Sequence, residues 1–336
     1  MAELVLALGT SHSPLLAMDS PEWEARARND RDNKRLIDND GIMCDYPGLL
    51  SKVGEKYASL ATPSKWAEQE AVLQRSLDRL TGDLVEVDPD AVVVLGDDEH
   101  ELFDGANMPA IAVYFGEHAI ARRFVHPDSP DSNRPDYKWM REVEKMYGMD
   151  ANHEFPVASA FALDILGSLM DAGFDLAACD RVADPARQGF GHAFGFVVKR
   201  LMGDRPIPIV PVLINTYYPP NQPTPKRCFE LGQALRNAID DAASGMRIAI
   251  VASGGLSHFV TNATLDMGIM DALRSGDGAF LKSIPAKLIN SGTSEVRMWI
   301  TMGGALAGLK HRWSEYLPVY RTPAGTGVGL AFGRWS

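Results

Sequence analysis

Ala91-Val92-Val93-Val94-Leu95-Gly96-Asp97-Asp98-Glu99-His100 sets five apolar residues, three of them β-branched, before a glycine and four polar residues. A run with no polar residue on either face reads as a strand buried on both sides, the condition of a sheet covered by helices. Four further runs share this character, at residues 4–8, 208–213, 247–252 and 328–332, each bounded by Gly, Pro, Asp or Asn. Longer segments carry apolar residues at helical spacing, at 66–84, 157–172, 226–243, 265–273 and 294–309. The alternation predicts an α/β fold with a central mixed or mainly parallel sheet flanked by helices.

Four of the five strands run straight into polar residues: Gly9-Thr10-Ser11-His12, Gly96-Asp97-Asp98-Glu99-His100, Asn215-Thr216-Tyr217-Tyr218 and Gly254-Gly255-Leu256-Ser257-His258. In open α/β sheets such strand ends converge on the ligand crevice. Residues 18–64 are rich in charge, including Glu22, Glu24, Arg26, Arg28, Asp30, Arg31 and Asp32, and read as an irregular or helical insertion between the first two strands. Residues 127–137, with Pro, Asp, Ser and Asn in place of apolar periodicity, read as a surface loop. No repeat or low-complexity tract marks a linker, so one catalytic domain over 1–336 is expected.

The composition narrows the function. The chain has 336 residues, 46% of them apolar, enough for a substantial core. A net charge of -11 argues against nucleic acid as a partner, because phosphate binding needs concentrated Lys and Arg. Cys44, Cys179 and Cys228 are scattered without the spacing of a disulfide framework or a zinc site, which fits a reducing cytoplasm. No run is long and apolar enough for a membrane span, and the first residues lack the basic flank of a signal peptide.

Of the eight histidines, His12 and His258 each follow a strand through small residues, where a side chain reaches a pocket; a histidine bonded to a nearby carbonyl is the plainer alternative. Glu295 follows Gly292-Thr293-Ser294 at a helix start, with Thr293 or Ser294 as N-cap and the helix dipole favouring its carboxylate. The acidic run from Asp97 to His100 suits a metal or a proton acceptor, and equally a solvated loop. No dinucleotide-binding glycine pattern is present, and Gly255-Leu256-Ser257-His258-Phe259 lacks the final glycine of a nucleophile elbow.

Taken in order, Ser11-His12-Ser13-Pro14, the acidic turn after residue 90, Asn215-Thr216-Tyr217-Tyr218-Pro219-Pro220, Gly254-Gly255-Leu256-Ser257-His258 and the segment from Glu295 to Leu306 resemble the class III extradiol ring-cleaving dioxygenases, as in the catalytic β-subunit of protocatechuate 4,5-dioxygenase. The resemblance implies Fe(II) held by two histidines and a glutamate, a small aromatic substrate of catechol or hydroxylated (hetero)aromatic acid type, dioxygen as co-substrate, and a homo-oligomer, at least a dimer. It implies His12 and Glu295 as metal ligands, His258 as acid/base, and His192 as a further active-site histidine. Tyr217 and Thr326 match substrate-pocket positions. At the second ligand this chain departs: an ungapped count puts Glu99, not His100, in the histidine's slot. Either His100 binds through a one-residue shift, or Glu99 binds as a second carboxylate, or the ordinary iron site is absent. Because a one-residue slip turns a side chain to the opposite face, Glu99 is the residue expected to face the pocket. Loss of iron would leave a hydrolase, lyase or decarboxylase, or a non-catalytic partner subunit. Near the C-terminus Gly325 and Thr326 replace the family's Ser-Asn pair. The family enzyme closes its site with a separate small subunit, a lid function that the 18–64 insertion would supply within this chain.

Overall fold

The computed structural model describes residues 1–124, 137–203 and 205–336. The main sheet has nine strands, numbered here in chain order: β1 (Glu3–Thr10), β2 (Ala91–Gly96), β3 (Ile111–Tyr114), β4 (Ala177–Cys179), β5 (Ile209–Ile214), β6 (Arg247–Ser253), β7 (His258–Val260), β8 (His311–Tyr320) and β9 (Thr326–Trp335). Strands β1, β6, β2 and β5 form a parallel centre, with Ala7 beside Ile250, Ile250 beside Val93 and Val93 beside Val210. On one flank β3 runs antiparallel to β5 and parallel to β4; on the other, β9 runs antiparallel to β1, β7 and β8. The sheet is therefore mixed, as expected, and the five expected strands lie within β1, β2, β5, β6 and β9.

Alternation explains why the central runs are apolar throughout. Val93 and Leu95 enter the core beneath helices Ser159–Asp171, Pro225–Asp241, Ala263–Ser275 and Val296–Ala305. Val92 and Val94 enter the opposite core, beneath helix Pro63–Val87 and the helical segment from His192 to Met202. Each fully buried Val or Leu contributes roughly 1.5–3 kcal/mol relative to exposure, so both faces of the strand favour this three-layer arrangement. Helix Pro63–Val87 begins a turn earlier than the apolar period alone predicts, because the Thr62 hydroxyl accepts from Lys65 N–H and Pro63 occupies the first turn. The helix expected to reach residue 309 ends at Ala305.

All four parallel strands end on the same side, at Thr10, Gly96, Ile214 and Ser253, so the four polar sequences that follow them meet there. The insertion is partly helical, with Trp23–Asp32 and Tyr46–Val53 around a short hairpin of Leu36–Ile37 and Met43–Cys44. It is tied to β8 and β9 and the turn between them: Asp30 accepts from Arg321 Nε (2.7 Å), Arg321 Nη2 (3.0 Å) and the Thr326 hydroxyl (2.9 Å), and the Tyr57 ring stacks on Tyr320 at 4.2 Å. The surface loop expected at 127–137 falls outside the described residues up to 136. Among the described residues no helix is long and apolar enough to cross a membrane.

Candidate metal centre and substrate cavity

The ends of the parallel strands open into a cavity of about 320 Å³, within the usual range for a small-molecule site. Its polar end is lined by His12, Glu99, Glu101, His192, Tyr217, His258 and Glu295, and its remaining wall includes Arg26, Phe124, Trp139, Met140, Val143, Met149 and Arg321.

Glu295 closes a 3-10 turn, Ser291–Glu295, at the point where helix Val296–Ala305 begins. The expected side-chain cap by Thr293 or Ser294 is absent; the Thr293 hydroxyl instead accepts from His258 N–H and donates to the His258 carbonyl, so this segment anchors His258. A Cβ on Gly292 would lie 2.1 Å from His258 Cδ2, so only glycine lets the two meet. The carboxylate of Glu295 accepts from Gly255 N–H at 2.6 Å, and its two oxygens lie 3.1 Å from His12 Nε2 and 2.9 Å from His258 Nε2. Burial alone would raise Glu295, but His258 and His12 together hold it well below the usual carboxylate range. His258 presents Nδ1 to the Leu256 carbonyl at 2.8 Å and Nε2 to Glu295. Both nitrogens face acceptors, so the ring is an imidazolium; burial opposes this, and the Glu295 charge outweighs it and raises the pKa.

The tautomer of His12 follows from its neighbours. The Ser253 hydroxyl has one proton, and donates it to the Ala193 carbonyl at 2.7 Å. Toward His12 Nδ1, at 3.0 Å, Ser253 can then only accept, so Nδ1 carries a proton and Nε2 is the nitrogen left for a metal in the neutral ring. His192 is fixed similarly: Glu101 accepts from its Nδ1 at 2.7 Å and its backbone N–H at 3.3 Å, leaving Nε2 3.9 Å from Asp97 Oδ1. A Cβ on Gly191 would lie 2.0 Å from Glu101 Cδ, which makes glycine necessary for that approach. Burial would lower His192, but Glu101, Glu99 and Asp97 hold it well above the ordinary value.

The acidic turn alternates with period two. Asp97, Glu99 and Glu101 turn inward, whereas Asp98 accepts from Leu102 and Phe103 N–H and shapes the loop. His100 is exposed at φ +66°, its ring packed against Tyr218 at 3.7 Å and outside the cavity lining. The structure thus places Glu99, and not His100, on the inner side. Glu99 is itself exposed, like His100, but it lines the cavity and His100 does not. Tyr217 lines the cavity, and burial with the nearby charges of Glu295, Glu99 and Asp97 pushes its phenol well above the ordinary value. Thr326 is different: it is fully buried outside the lining, its hydroxyl shared between Thr322 and Asp30, because β9 turns it toward the insertion.

Two overlapping sets of ligand atoms lie within 4.8 Å of one another: His12, Asp97 and His192, and Asp97, Glu99 and Glu295. Asp97 belongs to both. It is 1% exposed, its Oδ2 accepts from Thr216 at 3.1 Å, and its Oδ1 is buried without a hydrogen-bond partner among the described residues. An orphaned buried carboxylate oxygen is costly unless a cation meets it. Burial, then the Glu295 charge, raises Asp97 to about 7; burial, with Glu101 and Glu295, raises Glu99 to about 7. Mixed imidazole and carboxylate donors of this kind fit a divalent transition metal such as Fe(II).

Residues 63–331 match the family described as the catalytic LigB subunit of aromatic ring-opening dioxygenase. The chain belongs to this family. A gallate dioxygenase of Pseudomonas putida KT2440 is 35% identical over 126 residues, which are 34% of this chain. The chain covers only 36% of that relative's length. The resemblance read from the strand-end motifs is thereby placed in the LigB family, whose match begins after the insertion. Sequence reasoning named the acidic run but missed the separate parts played by Asp97 and Glu101, although their spacing with Glu99 carries the period-two signal. It also missed Ser253, Tyr147, whose hydroxyl donates to the His12 carbonyl, and Arg26.

Proposed function

We propose that the chain is an extradiol aromatic ring-opening dioxygenase that holds Fe(II) through His12 Nε2, Glu295 and Asp97, with Glu99 as an additional carboxylate, and that cleaves a catechol-like or hydroxylated aromatic compound. The observation that carries this reading is the orphaned Oδ1 of Asp97, shared by two donor sets beside a His12 whose Nδ1 is occupied by Ser253 and whose Nε2 points at Glu295. Fe(II), when bound, supplies the activation of dioxygen, which no side chain can provide.

The residues of the chain perform the rest. The apolar wall of Phe124, Trp139, Met140, Val143 and Met149 accepts the ring and excludes water. His258 holds a proton on Nε2 between Glu295 and the cavity, so a substrate hydroxyl placed there can exchange protons with it as ring opening proceeds. Glu101 fixes the orientation of His192. The 18–64 insertion walls the cavity through Arg26 and acts as the lid within a single catalytic domain. A homo-oligomer in the cytoplasm is the setting that the family resemblance and the reduced cysteines support.

The test is anaerobic purification followed by metal analysis and oxygen uptake. Near-stoichiometric iron and oxygen consumption with catechol or a dihydroxybenzoate, yielding a ring-opened product, is expected. Absence of both iron and oxygen uptake would refute the reading. Turnover of a ring-cleavage product under strict anaerobiosis with chelator would instead support a hydrolase, lyase or decarboxylase, a second reading favoured by the carboxylate at position 99.

A further inference from the structure

Besides the residues that could hold a metal, the cavity lining includes two arginines, Arg26 and Arg321. Arg26 lines it from helix Trp23–Asp32, its guanidinium 5.7 Å above the Trp139 ring, and its Nε is buried with no hydrogen-bond partner. Among the described residues no carboxylate lies within ion-pair distance of Arg26. The other cavity arginine is already neutralised, since Arg321 makes two bonds to Asp30 at 2.7 and 3.0 Å. Two other arginines lie outside the cavity lining: Arg297 is buried donating to the carbonyls of Pro223, Ile289 and Ser294, and the Arg187 side chain is 86% exposed.

The carboxylate whose charge reaches Arg26, that of Asp30, is already bonded to Arg321; a partly desolvated guanidinium left sharing it costs free energy, and an incoming carboxylate relieves that cost through charge-assisted hydrogen bonds. The lining carboxylates Glu99, Glu101, Glu144 and Glu295 offer such an anion no donor, and of the two lining arginines Arg26 is the one without an ion pair among the described residues. We infer that Arg26 is the anchor for an anionic substituent of the substrate, a carboxylate carried on an aromatic ring, and that the insertion thereby sets substrate specificity. This deepens the proposed ring-opening function and rests on it for the identity of the ligand as substrate. The subsite itself needs neither metal nor oxygen.

The test uses that independence. Benzoate and its uncharged isostere benzamide are titrated calorimetrically into the full-length, metal-free protein and into Arg26→Gln and Arg187→Gln. Wild type and Arg187→Gln should prefer benzoate, and Arg26→Gln should lose that preference by on the order of 30-fold or more. In the iron-loaded enzyme the same substitution should raise KM for a dihydroxybenzoate and leave KM for catechol unchanged. No preference in wild type, or a preference that survives in Arg26→Gln, overturns the inference. Failure of the ring-opening reading would show separately, as missing iron and oxygen uptake with the benzoate preference intact.

Discussion

Replacing Asp97 by asparagine should stabilise the metal-free protein while weakening its metal binding. In the folded chain the Asp97 carboxyl is raised from 3.8 to about 7, so at a pH near 8 its ionisation costs the folded state about 4 kcal/mol relative to the unfolded chain. Asparagine has nearly the same shape and can still accept from the Thr216 hydroxyl through its carbonyl. Its amide group must be desolvated in the position of Oδ1, so part of the gain is returned, and a net stabilisation on the order of 1–2 kcal/mol is expected. The same NH2 presents a donor where a cation needs an acceptor. Loss of an orienting group around a metal costs 10–100-fold, and loss of a ligand should cost at least about 100-fold. The assays are urea unfolding near pH 8 with chelator present, and calorimetric titration with Fe(II) under anaerobic conditions. A merely structural aspartate would behave oppositely on the first assay and be silent on the second. Destabilised metal-free protein with wild-type metal affinity would refute the reasoning.

Ser253→Ala removes the acceptor that fixes His12 Nδ1–H, and metal affinity should fall about 10–100-fold with little change in the fold, read by metal titration alongside circular dichroism. His258→Gln should lower kcat by roughly 10²–10⁴-fold with iron content unchanged, because His258 lies outside both donor sets; a parallel loss of iron would contradict its assignment as acid/base. The metal-free protein should lose stability as pH rises above about 4. Asp97, Asp98 and Glu99, each raised to about 7, retain protons that the unfolded chain releases, while raised His258 and His192 add stability below 6.5 that is lost as pH climbs through their folded values. Depressed Glu295 and Glu101 act in the other direction, in the window below 4.5. Urea midpoints measured from about pH 5 to 8 should fall with pH in chelator and flatten with metal, and metal affinity should rise across pH 7.

The strands were legible because burial on both faces leaves an uninterrupted apolar run, and their polar exits because parallel strands share one end. The preference for Glu99 over His100 came from the ungapped count against the family pattern together with the pleat. Other features depend on partners far away in sequence. Thr326 faces Asp30 across 296 residues, and Ser253 fixes His12 across 241, contacts that leave no local trace. Arg26 sat among six other charges within residues 22–32, and packing against Trp139 together with its place in the cavity lining distinguishes it. Thr293 looked like a helix cap, but His258 competes successfully for its hydroxyl.

The ties from the insertion to the turn that precedes β9 carry an evolutionary implication. The proposed metal donors come from the rims of the central strands and from Glu295, whereas Arg26 arrives on an excursion tied down by Asp30 and by the Tyr57–Tyr320 stack. Ligand preference can therefore drift by exchange of one chain segment while the reactive centre is conserved. Grafting that segment, with Arg321 and Thr326 as its matching sockets, offers a route to relatives that open differently charged rings.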